Sequence, residues 1–248
     1  MRPYDNSRTV VNEHEILAEF KRTSLLSYQK FTHIADIQYG KHSRSTLDLF
    51  PLEQAKKTVI FIHGGYWQWC DKSDFALIVP YVLAKGAQCV LLEYDLAPQS
   101  KISDIASQVN QALDFIREQG WKTDEVVLVG HSAGAHLAAL SLDHPLISEI
   151  VLLSGIYDLE PIQSTHLNHA LTLSSEDILK YSPVYQSKRI TIPCSILCGE
   201  LELDELKWQS QNYFENKREQ EQDFVSFKFI SGINHYSILE YYFNSILI

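Results

Sequence analysis

A serine set between two spaced glycines, Gly130-His131-Ser132-Ala133-Gly134, is the feature of this chain best suited to covalent chemistry. A serine hydroxyl is a weak nucleophile at neutral pH; it becomes effective when a base takes its proton and a third group orients that base. Four apolar residues, Val126 to Val129, run straight into this motif, and a run of Ala and Leu with helix propensity follows it. Strand, sharp turn and helix put Ser132 at the tip of the turn with its Oγ exposed, and the flanking glycines let strand and helix approach closely. The Ala133 N–H, opening the helix, then points where an oxyanion would form. The alternative is a glycine-rich turn with an idle serine, and the order strand–turn–helix argues against it.

The partners of such a serine belong in loops at the carboxyl ends of later strands, first the acid and then the histidine. His235 lies in Gly232-Ile233-Asn234-His235-Tyr236, after the last strand-like run. Glu202 and Asp204 both follow the apolar run that ends at Cys198, and either can accept the His235 Nδ1–H; Glu200 ranks third, since an extended chain turns it to the opposite side. Further oxyanion donors are expected in the loop after the third strand, where His63-Gly64-Gly65 stands; with Ala133, Gly64 and Gly65 would complete the hole. Tyr66, Trp67 and Trp69 follow at once and predict an aromatic wall beside the nucleophile.

These residues need a scaffold, and strand-like and helix-like patterns alternate to supply one. Phe31 to Tyr39 and Ser45 to Phe50 read as a hairpin-like entry; Lys57 to Ile62, Ala87 to Tyr94, Ile147 to Leu153, Ile190 to Cys198 and Val225 to Ile230 read as strands. Ser73 to Lys85 reads as a helix capped by Ser73, Ser103 to Gln119 as an amphipathic helix ended by Gly120, and Glu205 to Gln220 as a polar one. Strands that are near-continuously apolar imply a mostly parallel sheet, of about eight strands, covered by helices on both faces. One domain over 1–248 is expected, with an N-terminal extension, 1–28, and a cap-like insert, 155–183, whose one helical piece is Ser175 to Lys180. The amphipathic stretch Val11 to Tyr28 reads as a helix on the outside, without an assigned task. The aromatic-rich tail, Tyr236 to Ile248, reads as a docked helix or as the interface of a homodimer.

Composition narrows the function classes. A net charge of −10 disfavours nucleic acid or an anionic membrane surface as partner. No apolar run is long enough to span a membrane, and the first residues lack the apolar core of a signal peptide, so a cytoplasmic location is expected. The four cysteines, Cys70, Cys89, Cys194 and Cys198, read as buried free thiols, and the ten scattered histidines give no convincing metal set.

Taken together, His63-Gly64-Gly65-Tyr66-Trp67, Tyr94-Asp95-Leu96-Ala97-Pro98, Gly130 to Leu137, Ser154 to Pro161 and Ser182-Pro183 resemble the α/β-hydrolase superfamily and, within it, the arylformamidase (kynurenine formamidase) branch. Tyr66-Trp67 and His131 stand where the related hormone-sensitive-lipase-type esterases carry a further glycine and an aspartate. The resemblance implies an α/β-hydrolase fold and aligns Glu202, three residues after Gly199, with the triad acid, while Asp204 remains the alternative. It further implies hydrolysis of N-formyl-L-kynurenine to L-kynurenine and formate in tryptophan degradation, with substrate contacts from Tyr66, Trp67 and His131 and with no cofactor or metal. Two rival readings follow: a carboxylesterase of small acyl or aryl esters, and a non-catalytic binding protein on the same fold.

Overall fold

The computed structural model describes residues 4–121, 123–187, 189–219 and 224–247. Helix α1 (Glu13–Lys30) precedes β1 (Ile34–Gln38), β2 (Thr46–Phe50) and β3 (Lys57–Ile62). A 3₁₀ segment (Lys72–Ile78), α2 (Val79–Ala84), β4 (Ala87–Leu92), α3 (Ile102–Gln119), β5 (Glu125–His131), α4 (Ala133–Leu140) and β6 (Glu149–Leu153) follow. Three short helices, α5 (Glu160–Gln163), α6 (Asn168–Leu171) and α7 (Ser175–Tyr181), lead to β7 (Cys194–Gly199), α8 (Asp204–Arg218), β8 (Val225–Ile230) and α9 (Ser237–Tyr241).

The eight strands form one sheet in the order β1-β2-β4-β3-β5-β6-β7-β8. β2 runs antiparallel to β1 and β4, and β4 to β8 pair in parallel through β3. Successive side chains of a strand point to opposite faces, so each inner strand feeds two cores. Ile60, Ile62, Leu128 and Leu152 pack on one face with Val109 and Leu113 of α3; Val59, Phe61, Val127, Val129 and Val151 pack on the other with Phe243. This double burial is why the strands read as unbroken apolar runs rather than as alternating ones.

Several boundaries differ from the sequence expectations for physical reasons. The expected helix Ser73 to Lys85 is a 3₁₀ segment and a short α-helix, and its cap is Asp71, whose Oδ1 accepts from the Ser73 N–H at 3.2 Å. Pro80 lacks an N–H and would clash with a preceding carbonyl in a continuous helix, so the α-helix starts just before it. The strand expected from Ile190 begins at Cys194, immediately after Pro193. The insert contains α5 and α6 besides α7; Ser174 and Asp177 cap α7 reciprocally, Ser174 N to Asp177 Oδ2 at 3.0 Å and Asp177 N to Ser174 Oγ at 3.1 Å. The expected last residue of the polar helix, Gln220, lies outside the described residues, as do residues 1–3 of the extension and Ile248 of the tail.

α1 is more than an outer ornament. Its buried Ser24 takes the place of a larger side chain against the 3₁₀ segment, donating to Asp74 O at 2.8 Å and accepting from Leu77 N at 2.9 Å. The C-terminal tail docks on its own chain, with Ile238, Leu239, Tyr242 and Phe243 buried in the second core. Among the described residues no helix is long and apolar enough to cross a membrane.

Candidate active site

β5 delivers Ser132 to the carboxyl edge of the sheet in a conformation that few side chains adopt, φ 57° and ψ −120°. The turn is affordable because the helix it opens can lie almost on β3: a Cβ at Gly134 would stand 2.1 Å from Ile62 O. α4 begins at Ala133, and among the described residues none accepts a hydrogen bond from its N–H. Ser132 Oγ likewise has no hydrogen-bond partner among the described residues; in unliganded hydrolases the serine–histidine contact is often long and tightens with substrate.

His235 and Glu202 meet from the loops after β8 and β7. His235 Nδ1 lies 2.8 Å from Glu202 Oε2, and both residues are buried. The other carboxylate oxygen accepts from the Ser154 hydroxyl and, at 3.1 Å, from the Gly199 N–H, which fixes the plane of the carboxylate. Ser154, at the end of β6, is a contributor that sequence reasoning missed; its signal was its place in the Ser154-Gly155 motif, one strand away from the elbow. Asp204 instead opens α8 with its side chain 95% exposed, paired with Lys207 Nζ at 2.7 Å, and that bond lowers its carboxyl pKa. Glu200 is exposed and its N–H closes a bond to Ile230 O at 3.0 Å.

His131, expected as a substrate contact, lines the cleft through a buried ring that holds the His235 loop from behind. Its Nε2 donates to His235 O at 2.9 Å, and the two imidazole centroids are 4.7 Å apart. Burial, and secondly the neighbouring His235, push the His131 pKa well below the ordinary histidine value, so the ring stays neutral. His136, on α4, is likewise buried with its pKa pushed down to about 4, and its Nε2 donates to Tyr181 O at 2.7 Å, tying the insert to the elbow helix.

The His63-Gly64-Gly65 loop faces Ser132, and Gly65 has φ 111°, with room for no Cβ because Trp69 O would be 2.2 Å from it. Behind the loop, His63 stacks on Tyr94 at 4.3 Å and its Nε2 is 2.8 Å from Glu93 Oε1. Arg44 Nη2 reaches the same oxygen at 2.6 Å, and the Lys72 N–H donates to the other at 2.8 Å. A buried charge so fully paired is a rigid anchor for the glycine loop. Neither Glu93 nor Arg44 stood out in the sequence, since each is an ordinary charged residue until the sheet brings them together.

A cleft of about 350 Å³ opens beside Ser132, Gly64 and Gly65. Its apolar wall is made by Tyr66, Trp69, Phe75, Leu167, Leu17 and Phe20. The expected contribution of Trp67 is corrected here: Tyr66 and Trp67 both have positive φ, the chain turns under itself, and Trp67 is fully buried edge-on against His136 at 4.9 Å. Trp69, half exposed, lines the wall as expected. The insert reaches the cleft through His166 and Leu167, and the extension through Tyr4, Asp5, Asn6 and Glu13. Sequence reasoning did not place that last group at the cleft, since nothing in a polar N-terminus states where it docks.

Comparison with known proteins agrees with this geometry. A model of the alpha/beta hydrolase fold matches residues 59–235, from β3 to His235. The kynurenine formamidase of Danio rerio is 33% identical over 223 residues, covering 84% of this chain and 76% of that protein. The kynurenine formamidase of Drosophila melanogaster is 26% identical over 252 residues, covering 93% and 83%. A crystal structure from Silicibacter sp. TM1040, provisionally described as a thioesterase, superposes with a TM-score of 0.87 at 23% identity, covering 98% of this chain and 94% of its own, and so speaks to the fold alone. With a matched fold model across most of the chain and a relative of this identity over more than four-fifths of it, the chain belongs to the α/β-hydrolase fold family and, within it, to the kynurenine formamidase family.

Proposed function

We propose that the chain, a hydrolase by its family, cleaves the formamide of N-formyl-L-kynurenine to L-kynurenine and formate through a Ser132–His235–Glu202 triad. The observation that carries this reading is the His235–Glu202 pair at 2.8 Å, buried at the edge of the sheet where the strained Ser132 turn also ends, in a chain whose relatives are kynurenine formamidases. Glu202 accepts from His235 Nδ1–H and so keeps the lone pair of Nε2 available as the base. Ser132 Oγ attacks the formyl carbon as His235 takes its proton; the oxyanion falls to the N–H groups of Gly64, Gly65 and Ala133. Collapse breaks the C–N bond, and protonated His235 hands its proton to the leaving aniline nitrogen. Water, activated by the same histidine, then releases formate from the formyl-serine. A formyl group asks for almost no acyl pocket, whereas the aryl ketone asks for the wall of Tyr66, Trp69 and Phe75. Hydrolysis of a soluble small molecule in one such domain needs no macromolecular partner.

The test is steady-state kinetics on N-formyl-L-kynurenine beside p-nitrophenyl acetate. The expected result is a kcat/KM on the formamide at least tenfold above that on the ester, although the ester is intrinsically the easier bond to break. Turnover of the ester with none of the formamide would make the protein a carboxylesterase and overturn the substrate assignment.

A further inference from the structure

The turn that carries the oxyanion glycines is strained, and its own sequence does not account for its shape. Between Gly64 and Asp71 the chain holds Tyr66, Trp67 and Cys70 at φ 50°, 59° and 74°, a region that residues with a Cβ seldom enter. Such residues keep that conformation only where their surroundings over-determine it. The turn also closes on itself: Gly65 O accepts from Gln68 N and Trp69 N, each at 2.9 Å, and a Cβ at Gly65 would stand 3.1 Å from Cys70 Sγ. Its two ends are therefore in contact, and a shift of Cys70 is passed to Gly65. One side chain grips the Cys70 end. Arg44, in the loop before β2, donates through Nη2 to Cys70 O at 3.0 Å and to Glu93 Oε1 at 2.6 Å, and through Nε to Tyr94 O at 2.9 Å. Glu93 in turn holds the other end at His63 Nε2, and the Tyr94 hydroxyl donates to His63 O at 2.8 Å. The guanidinium plane is thus the point at which both ends of the strained turn are tied to the end of β4.

We propose that Arg44 is a positioning residue for the oxyanion hole: without touching substrate, it sets the Gly64 and Gly65 N–H groups by holding the Cys70 end of the turn. It rests on the Ser132 chemistry above, since a hole matters only to a reaction that develops an oxyanion. Its effect belongs to the transition state. The glycine N–H groups bind the substrate oxygen most strongly once charge has developed on it, so a slackened turn weakens the grip on a tetrahedral oxyanion and hardly that on a flat ketone lying against the aromatic wall. Lysine is no substitute, because one ammonium does not present the fork that reaches two carbonyls and a carboxylate. Arg44 is 30% exposed and lines a hollow of about 410 Å³ that shares no lining residue with the cleft. A guanidinium removed by mutation can therefore be replaced there from solution without competing with substrate.

The experiment measures competitive inhibition constants against p-nitrophenyl acetate for trifluoroacetophenone, which adds the serine Oγ and places an oxyanion in the hole, and for acetophenone, which keeps its flat carbonyl. Each constant is independent of how much of a preparation is folded, so a role in stability alone leaves their ratio unmoved. The wild type is expected to bind the trifluoro ketone at least about a hundredfold more tightly. Arg44→Ala is expected to shrink that preference by roughly tenfold to a hundredfold, with acetophenone held within about threefold of its wild-type constant, and added methylguanidinium to restore most of it. Arg44→Lys, which keeps a charge beside Glu93 where Arg44→Ala might fail to fold, is expected to shrink it by about fivefold or more. A preference that stays at the wild-type value in Arg44→Lys and in every folded preparation of Arg44→Ala overturns the proposal and leaves the Ser132 chemistry in place. A wild type that binds the two ketones alike overturns the Ser132 reading and the proposal with it. Neither ketone nor ester involves the formamide, so the substrate assignment is tested separately.

Discussion

Ser132→Ala is expected to lower kcat/KM on N-formyl-L-kynurenine by roughly 10⁴-fold to 10⁶-fold, while the melting temperature stays within a few degrees of wild type. The size of the loss follows from the position of the hydroxyl. Ser132 occupies φ 57°, at the one point where β5 and α4 meet, and among the described residues no other serine or threonine lines the cleft to replace its Oγ. What would remain is the oxyanion hole and substrate positioning, which alone give a modest acceleration over water. Stability is spared because Ala and Ser bear the same backbone strain in this region and Oγ holds no partner whose loss would be felt. A progress curve for kynurenine formation and a thermal melt on one preparation check both halves. Loss of activity of less than about 100-fold would place the nucleophile elsewhere.

Glu202→Gln is expected to cost about 10⁴-fold in kcat, whereas Asp204→Asn stays within about twofold of wild type. The amide preserves the shape of the side chain and removes the charge that favours the imidazolium formed as Ser132 attacks. Its NH₂ also competes for the position facing His235 Nδ1, selecting the wrong tautomer. Asp204, by contrast, sits in solvent against Lys207, where an exposed pair contributes little. Ser154→Ala is the gentler version of the first change, since Gly199 N–H still holds Glu202 Oε1 at 3.1 Å. If Asp204→Asn proved the more damaging variant, the acid would be wrongly assigned.

The parts of this molecule that were legible in the sequence are those whose signals are local. The elbow is strand, turn and helix within sixteen residues from Glu125 to Leu140, and the parallel sheet announces itself in apolar runs that only double burial can require. Glu202 and Asp204 are two residues apart and chemically alike; what separates them is the bond from Gly199 N–H, the hydroxyl of Ser154 and the start of α8, all consequences of tertiary packing. Trp67 was expected on the wall because it follows the glycines, but two successive left-handed residues rotate it beneath the loop and bring Trp69 forward. The cleft-lining role of Tyr4 to Phe20 had a faint trace, Glu13, Leu17 and Phe20 at helical spacing on one face of α1. Nothing in that spacing says that the face looks toward Ser132, which is decided by the docking of Ser24 against the 3₁₀ segment some fifty residues on.

The central claim is a formyl group carried on Ser132, and it is tested most directly by partitioning. N-formyl-L-kynurenine and p-nitrophenyl formate share no leaving group, so a common formyl-enzyme must forget which of them it came from. With hydroxylamine added as a competing nucleophile, the ratio of formohydroxamate to formate is predicted to be the same from both substrates, and both products are predicted to vanish in Ser132→Ala. Different ratios, or formate from the formamide with no formohydroxamate at any hydroxylamine concentration, would contradict a formyl-serine intermediate and the account built on it.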